Sequence, residues 1–171
     1  MNIFATNTCP VKSARYLDDQ RCVKMCTESV QMLFTNIHWM GLWQPGMYKP
    51  QQPNHPCTMW ARQGQDNFWW LYQHAIALEA EWQKRYGHNK KQRALEVFHE
   101  FDGQDAVNWL PTGGTPFANC AAHQGFGLCF KHIDDTRIAY KKYLRARWRI
   151  QQEHLGSKEH RTQLPRCSVR F

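Results

Sequence analysis

Apolar positions recur at helical spacing along most of this chain. Between Ala14 and His38, the residues Cys22, Cys26, Val30, Leu33 and Ile37 keep an i, i+4, i+8 rhythm. That rhythm predicts an amphipathic helix with one buried stripe, and Ser13 is expected to cap it. Its polar side carries Arg21, Lys24, Glu28 and Gln31. A second long helix is expected from Cys57 to Tyr86, with Trp60, Gly64, Leu71, Ala75, Leu78 and Trp82 on one side. Gly64 suits a close helix–helix approach there, at a modest cost in propensity. Trp69, Tyr72 and Ile76 make a second apolar side, which predicts a central helix, and Gly87 ends it. A shorter helix is expected from about Lys90 to Phe101, with Leu95 and Phe98 inward. A last helix, capped by Asp134 or Asp135, should run to about Leu155.

The connections read differently. Residues 1–12 are an extended lead-in ending at Pro10. Residues 41–56 hold Gly41, Pro45, Gly46, Pro50, Pro53 and Pro56, too many breakers for regular structure. Residues 102–133 are glycine-rich, with PTGGTPF in the middle, and an irregular segment of that length is often functional. No alternating strand of useful length is present. The expected fold is an all-α single domain over residues 1–155: a compact helical bundle with two long central helices, a basic last helix and long loops. Residues 156–171 read as a basic tail.

Charge adds a partner. The 171 residues carry a net charge of +8, and six cations with no acid fall between Arg137 and Arg149. On a helix, Lys141, Lys142, Arg145 and Arg149 share one side and Tyr140, Tyr143 and Leu144 the other. Arg137 opens the run. The face reads either as a plain solvated surface or as a binding face for phosphates, whose neutralisation releases counterions. The basic balance of the whole chain favours DNA bound through phosphates. No apolar run approaches the ~20 residues of a membrane span, and MNIFATNTCPVK lacks the layout of a signal peptide. A cytoplasmic protein is expected.

Seven cysteines, an odd number, fit that compartment as reduced core residues. Cys120, His123, Cys129 and His132 form two Cys-x-x-His pairs, but five intervening residues are short for a zinc module. The expectation is therefore reduced, metal-free cysteines and no cofactor. Cys120 with His123 would also be a weak nucleophile pair. No Walker loop, dinucleotide glycine fingerprint or GxSxG elbow occurs.

Two constellations could carry chemistry. On the first helix, Asp18, Arg21, Lys24 and Glu28 lie on or at the edge of one face. Exposed, Lys24 and Glu28 are a routine i, i+4 pair. Facing a cleft, Glu28 is a candidate general base or stabiliser of positive charge, with Lys24 as amine or phosphate ligand and Arg21 as phosphate ligand. On the second helix, Arg62, Gln65 and Asn67 are the types that read phosphates and base edges. Trp69 or Trp70 could stack on an exposed base, or simply be core.

The segments MNIF, DDQRCVKMCTE, Asn54-His55-Pro56, WARQGQDNFWWL, FANCAAH, KHIDD and AYKKYLRARW resemble small phage-encoded helical proteins. Some of these are described as similar to pyrimidine-dimer DNA glycosylases of the endonuclease V type. That resemblance implies a small, basic, all-α enzyme that flips a nucleotide from the duplex. It also implies an N-terminal α-amine as nucleophile, with a glutamate and arginines on the first long helix, a setting that Glu28, Arg21 and Lys24 share. That family exposes a small polar residue after methionine removal. Here residue 2 is Asn, which normally leaves methionine in place, so the amine is that of Met1 and the pattern is broken there. The functional expectation is a phage DNA glycosylase, with or without lyase activity, in the infected host's cytoplasm. A transferase acting on thymine-derived bases and a non-enzymatic nucleic-acid-binding protein are the alternatives.

Overall fold

The computed structural model describes residues 1–155. The tail expected over 156–171 lies outside the described residues. Among the described residues, six α-helices make up the fold: α1 Pro10–Tyr16, α2 Asp19–Trp39, α3 Pro56–Ala61, α4 Gln65–Tyr86, α5 Arg93–Glu100 and α6 Thr136–Leu155. A 3₁₀ segment, Gly103–Trp109, follows α5, and a small hairpin pairs β1 (Ala122–His123) with β2 (Leu128–Cys129). The fold is all-α. No helix among the described residues is long and apolar enough to cross a membrane.

The first expected helix is two helices. Ser13 is not a cap; it is buried inside α1, where its hydroxyl donates to Asn7 O and accepts from Asn7 N–H, both at 3.0 Å. The break falls at Leu17 and Asp18, both extended. Asp18 caps α2 by accepting the Arg21 N–H at 2.9 Å. On the other side of the break, Arg85 of α4 donates to Leu17 O (2.8 Å), Arg15 O (3.2 Å) and Asp19 Oδ1 (3.0 Å). The carbonyls that end α1 are thus satisfied by a side chain rather than by the next turn of helix.

The second expected helix also divides. Gly64 is not a helix–helix contact but the extended N-cap of α4, and a Cβ there would lie 2.2 Å from Gly113 O. The PTGGTPF segment is laid across this end. Pro111 O and Gly113 O accept the first free N–H groups of α4, from Gln65 (2.9 Å) and Asp66 (3.0 Å). Helix ends need such acceptors, and here a glycine-rich loop supplies them. The second apolar side of α4 is not buried as a face: Trp69 and Ile76 are exposed. Gly87 ends α4 in the left-handed conformation, φ +64°.

The core lies between α2 and α4. All five stripe residues of α2 are buried, and so are Met25, Met32 and Phe34. Two thiols of the stripe donate to α4 carbonyls, Cys22 to Leu78 O and Cys26 to Ala75 O, each at 3.5 Å. Burial pushes the Cys22 thiol up to about 12 and raises Cys26 as well, so both stay protonated. The shorter α5 turns Leu95 and Phe98 inward, Phe98 meeting Phe34 edge-on at 5.4 Å.

His74 of α4 is fully buried. Its Nδ1 faces Pro10 O at 3.1 Å and must donate, while Nε2 has no partner among the described residues. Burial lowers its pKa from 6.5 to about 4. The unfolded chain therefore takes up a proton before the folded one does. Stability contributed by neutral His74 is complete above pH 6.5 and is lost as pH falls towards 4, by about 3 kcal/mol in all. His74→Asn keeps an N–H towards Pro10 O and cannot titrate. Urea midpoints measured across that window should fall less steeply for His74→Asn than for the wild type; equal slopes would assign the acid sensitivity to other groups.

Candidate active site

The first four residues form a tight turn. Asn2 Oδ1 accepts the N–H groups of Ile3 (2.8 Å) and Phe4 (3.2 Å), and Asn2 Nδ2 donates to Cys120 O at 3.2 Å. Phe4 has φ +41°, a costly conformation for a bulky residue. Packing holds it there: its ring lies 5.7 Å from Tyr140 and 6.0 Å from Tyr143 on α6.

This turn carries the chain terminus against α2. The Met1 ammonium is 3.7 Å from Glu28 Oε2, with side chains only 6% and 15% exposed. Lys24 Nζ takes the other carboxylate oxygen at 3.1 Å from the solvent side. Around them lies a cavity of about 340 Å³ whose lining includes Asn2, Phe4, Met25, Ala122, His123 and Tyr143. Among the described residues, the Met1 ammonium, Arg21, Lys24 and Arg147 supply four cations to its wall, against the carboxylate of Glu28.

Arg21 and Asp18 are a buried pair. One Asp18 oxygen accepts from Arg21 Nη1, and the Trp148 indole N–H of α6 donates to the same oxygen at 2.7 Å. Arg147 has no such carboxylate among the described residues. Its guanidinium lies 3.8 Å over the Phe126 ring at the hairpin tip, and its buried Nε and Nη1 have no partner. Burial, the largest influence, pulls its pKa below the ordinary arginine value. The sequence shows Arg147 only as one of six cations in the basic run. Its position four residues after Tyr143 is the signal that it faces inward.

The second-helix candidates do not line this cavity. Arg62 donates to Pro53 O at 2.8 Å and lies over the Trp39 ring, holding the proline-rich loop. Gln65 donates to Leu110 O at 3.1 Å. Asn67 is buried, donating to Trp60 O and Thr115 Oγ1 and accepting the Thr115 N–H. Trp70 is buried and donates to Thr8 O; Trp69 keeps an exposed ring. On α6, Arg137 is paired with Asp135, whose carboxylate also accepts the Arg137 and Ile138 N–H groups. Lys142, Arg145 and Arg149 are exposed, and Lys141 is half-buried.

Among the described residues, the soft metal ligands that come together are His55, Cys57 and Cys120, with ligand atoms all within 4.8 Å. His123, Cys129 and His132 do not belong to this group. A hydrogen bond from the Cys57 thiol draws the Cys120 thiol below its usual range, and the same bond, with burial, pushes Cys57 up. Burial lowers the pKa of His55, and the nearby terminal ammonium lowers it further while Glu28 opposes both. The cluster adjoins the cavity through Cys120, whose carbonyl accepts from Asn2 of the cavity wall.

The pyrimidine dimer DNA glycosylase family matches residues 1–94, just over half of the 171. The chain belongs to that family. No curated protein and no solved structure matches the chain. The matched segment contains the Met1 turn, Lys24 and Glu28, while Arg147 and the hairpin lie outside it.

Removing Asp18 should cost stability rather than chemistry alone. Asp18→Ala deletes a cap and leaves the Arg21 charge and the Trp148 N–H buried without an acceptor. A loss of about 3–5 kcal/mol is expected, with Asp18→Asn losing less. Chemical denaturation of both variants reads this; a midpoint unchanged in Asp18→Ala would show that water replaces the carboxylate.

Proposed function

We propose that this protein is a DNA N-glycosylase acting on a pyrimidine-derived base, with the Met1 α-amine as nucleophile and Glu28 as its proton acceptor. The observation that carries the reading is the Met1–Glu28 pair, 3.7 Å apart and largely shielded, in a cleft with an excess of cations. Family membership supports the same reaction class.

Attack needs a free amine, so Glu28 takes a proton from the ammonium. The nitrogen lone pair then bonds to C1′ of the target nucleotide. The C1′–base bond breaks, its electron pair leaves with the base, and the base picks up a proton. The nitrogen then sheds a proton, its lone pair forms a C1′=N bond as the C1′–O4′ bond breaks, and O4′ takes up a proton, leaving a protonated imine at Met1. The Glu28 carboxylate also steadies positive charge developing at the sugar, an effect strengthened by exclusion of water. A cavity of about 340 Å³ suits one flipped nucleotide. Arg21, Lys24 and Arg147 hold the flanking phosphates, Asp18 orients Arg21, and the outer face of α6 follows the backbone.

Borohydride trapping on oligonucleotides bearing a cyclobutane pyrimidine dimer tests the chemistry. A covalent adduct mapping to Met1 is expected, with turnover reduced about 10²–10⁴-fold in Glu28→Gln and DNA affinity retained. Incision without a trapped adduct would replace the amine by activated water. Tight binding with neither adduct nor incision on damaged or undamaged DNA would favour the non-enzymatic alternative.

The basic helix makes a separate prediction. Replacing Lys142, Arg145 and Arg149 together by Ala should weaken binding to all duplex sequences alike. The slope of log K against log salt should become shallower by about 0.9 for each phosphate contact removed. An unchanged slope would move the phosphate contacts off this face.

A further inference from the structure

We propose that His55, Cys57 and Cys120 form a zinc site, in which one ion ties the start of α3 to the segment leading into the hairpin. The proposal is independent of the glycosylase reading and replaces the expectation of metal-free cysteines. The spacing along the sequence conceals it, because Cys57 and Cys120 belong to segments that meet only in the fold.

Geometry is the first support. The three ligand atoms lie within 4.8 Å of one another. Tetrahedral zinc, with bonds of about 2.0–2.3 Å, needs donors roughly 3.5–3.8 Å apart. Each edge of the triangle must close by about 1.3 Å or less, within the reach of side-chain adjustment. The donor set is the second support: two thiolates and an imidazole favour zinc over hard cations, and two thiolates neutralise the ion's charge. Binding releases the two thiol protons to solvent. Water completes the fourth position.

The surroundings are already organised. The Tyr140 hydroxyl is 3.9 Å from Cys57 Sγ, accepts the Cys120 N–H at 3.1 Å and donates to Ala118 O at 2.9 Å. Asn119 holds the same segment, donating to Ile133 O at 3.0 Å and accepting the Ala121 N–H at 3.1 Å. These bonds fix the backbone on either side of Cys120 before any ion arrives. His55 also caps α3, its Nδ1 accepting the Cys57 N–H at 3.2 Å. An imidazole that caps in this way carries its proton on Nε2, so ligation exchanges one backbone hydrogen bond for one metal–nitrogen bond. The consequence reaches the cavity, because the Cys120 carbonyl is the acceptor that holds Asn2.

Cobalt titration of the full chain under reducing conditions tests the site. One equivalent should give the visible bands of tetrahedral cobalt and thiolate-to-cobalt charge transfer, both displaced by zinc. Native mass spectrometry should find one zinc per chain. His55→Asn preserves a capping oxygen while removing the ligand, so it should stay folded by circular dichroism and bind metal roughly a hundredfold more weakly. Cys120→Ser should lose the charge-transfer band; Cys129→Ser and His132→Ala should keep it. Absence of tetrahedral cobalt in the reduced wild type would overturn the proposal. So would unchanged binding in His55→Asn and Cys120→Ser, or loss of binding in Cys129→Ser.

Discussion

The carboxylate of Asp18 is the joint on which the site-bearing half of the molecule turns. One oxygen caps α2; the other accepts from Arg21 and from the Trp148 indole of α6. Burying a charge is costly unless its lone pairs find donors, and here three donors converge on it. Because the chain bends at this residue, α1 leaves the line of α2 and packs along α4, where Arg85 donates to its last carbonyls. Because Trp148 is fixed to the same carboxylate, α6 lies where Tyr140 and Tyr143 can clamp Phe4. The position of the Met1 amine thus depends on a residue that does not touch it.

Charge inside the cavity is unbalanced. Glu28 divides its two oxygens between the terminal ammonium and Lys24, and Arg21 is matched by Asp18. Arg147 faces an aromatic ring, with its buried Nε and Nη1 left without an acceptor among the described residues. A shielded cation with no carboxylate paired to it among the described residues favours an anionic occupant, since attraction between charges grows as water is excluded. That preference underlies the proposed assignment of Arg147 to a flanking phosphate.

Periodicity exposes the all-α class, the buried stripe from Cys22 to Ile37, the stop at Gly87 and the inward Leu95 and Phe98. It cannot show the break at Leu17, since Asp18 is a helix-compatible residue until its three donors are known, and two of those are side chains, one on α6. Gly64 is visible in the sequence as a special position, but the PTGGTPF loop pressing on it is not. Glu28, Lys24, Arg21 and Asp18 share one helical face in the sequence, and the structure groups them. The terminal amine beside Glu28 is implied there only by the family resemblance. Asn67 and Gln65 have the chemistry of base readers, yet such side chains serve equally well to fasten a loop, and here they do. The meeting of Cys57, Cys120 and His55 is tertiary and leaves no local trace.

The cavity wall is drawn from two stretches of unequal origin. The amine and carboxylate belong to the stretch that matches the family; His123, Tyr143 and Arg147 lie beyond it. Most of the hairpin is exposed and carries few of the core contacts, so its tip can vary in length and sequence at little cost to folding. On the proposed reading, in which the Met1 amine and Glu28 carry the reaction, reactivity and selectivity are separable traits: a lineage, or a directed library confined to residues 123–128, can explore new nucleotides while the amine and carboxylate stay untouched.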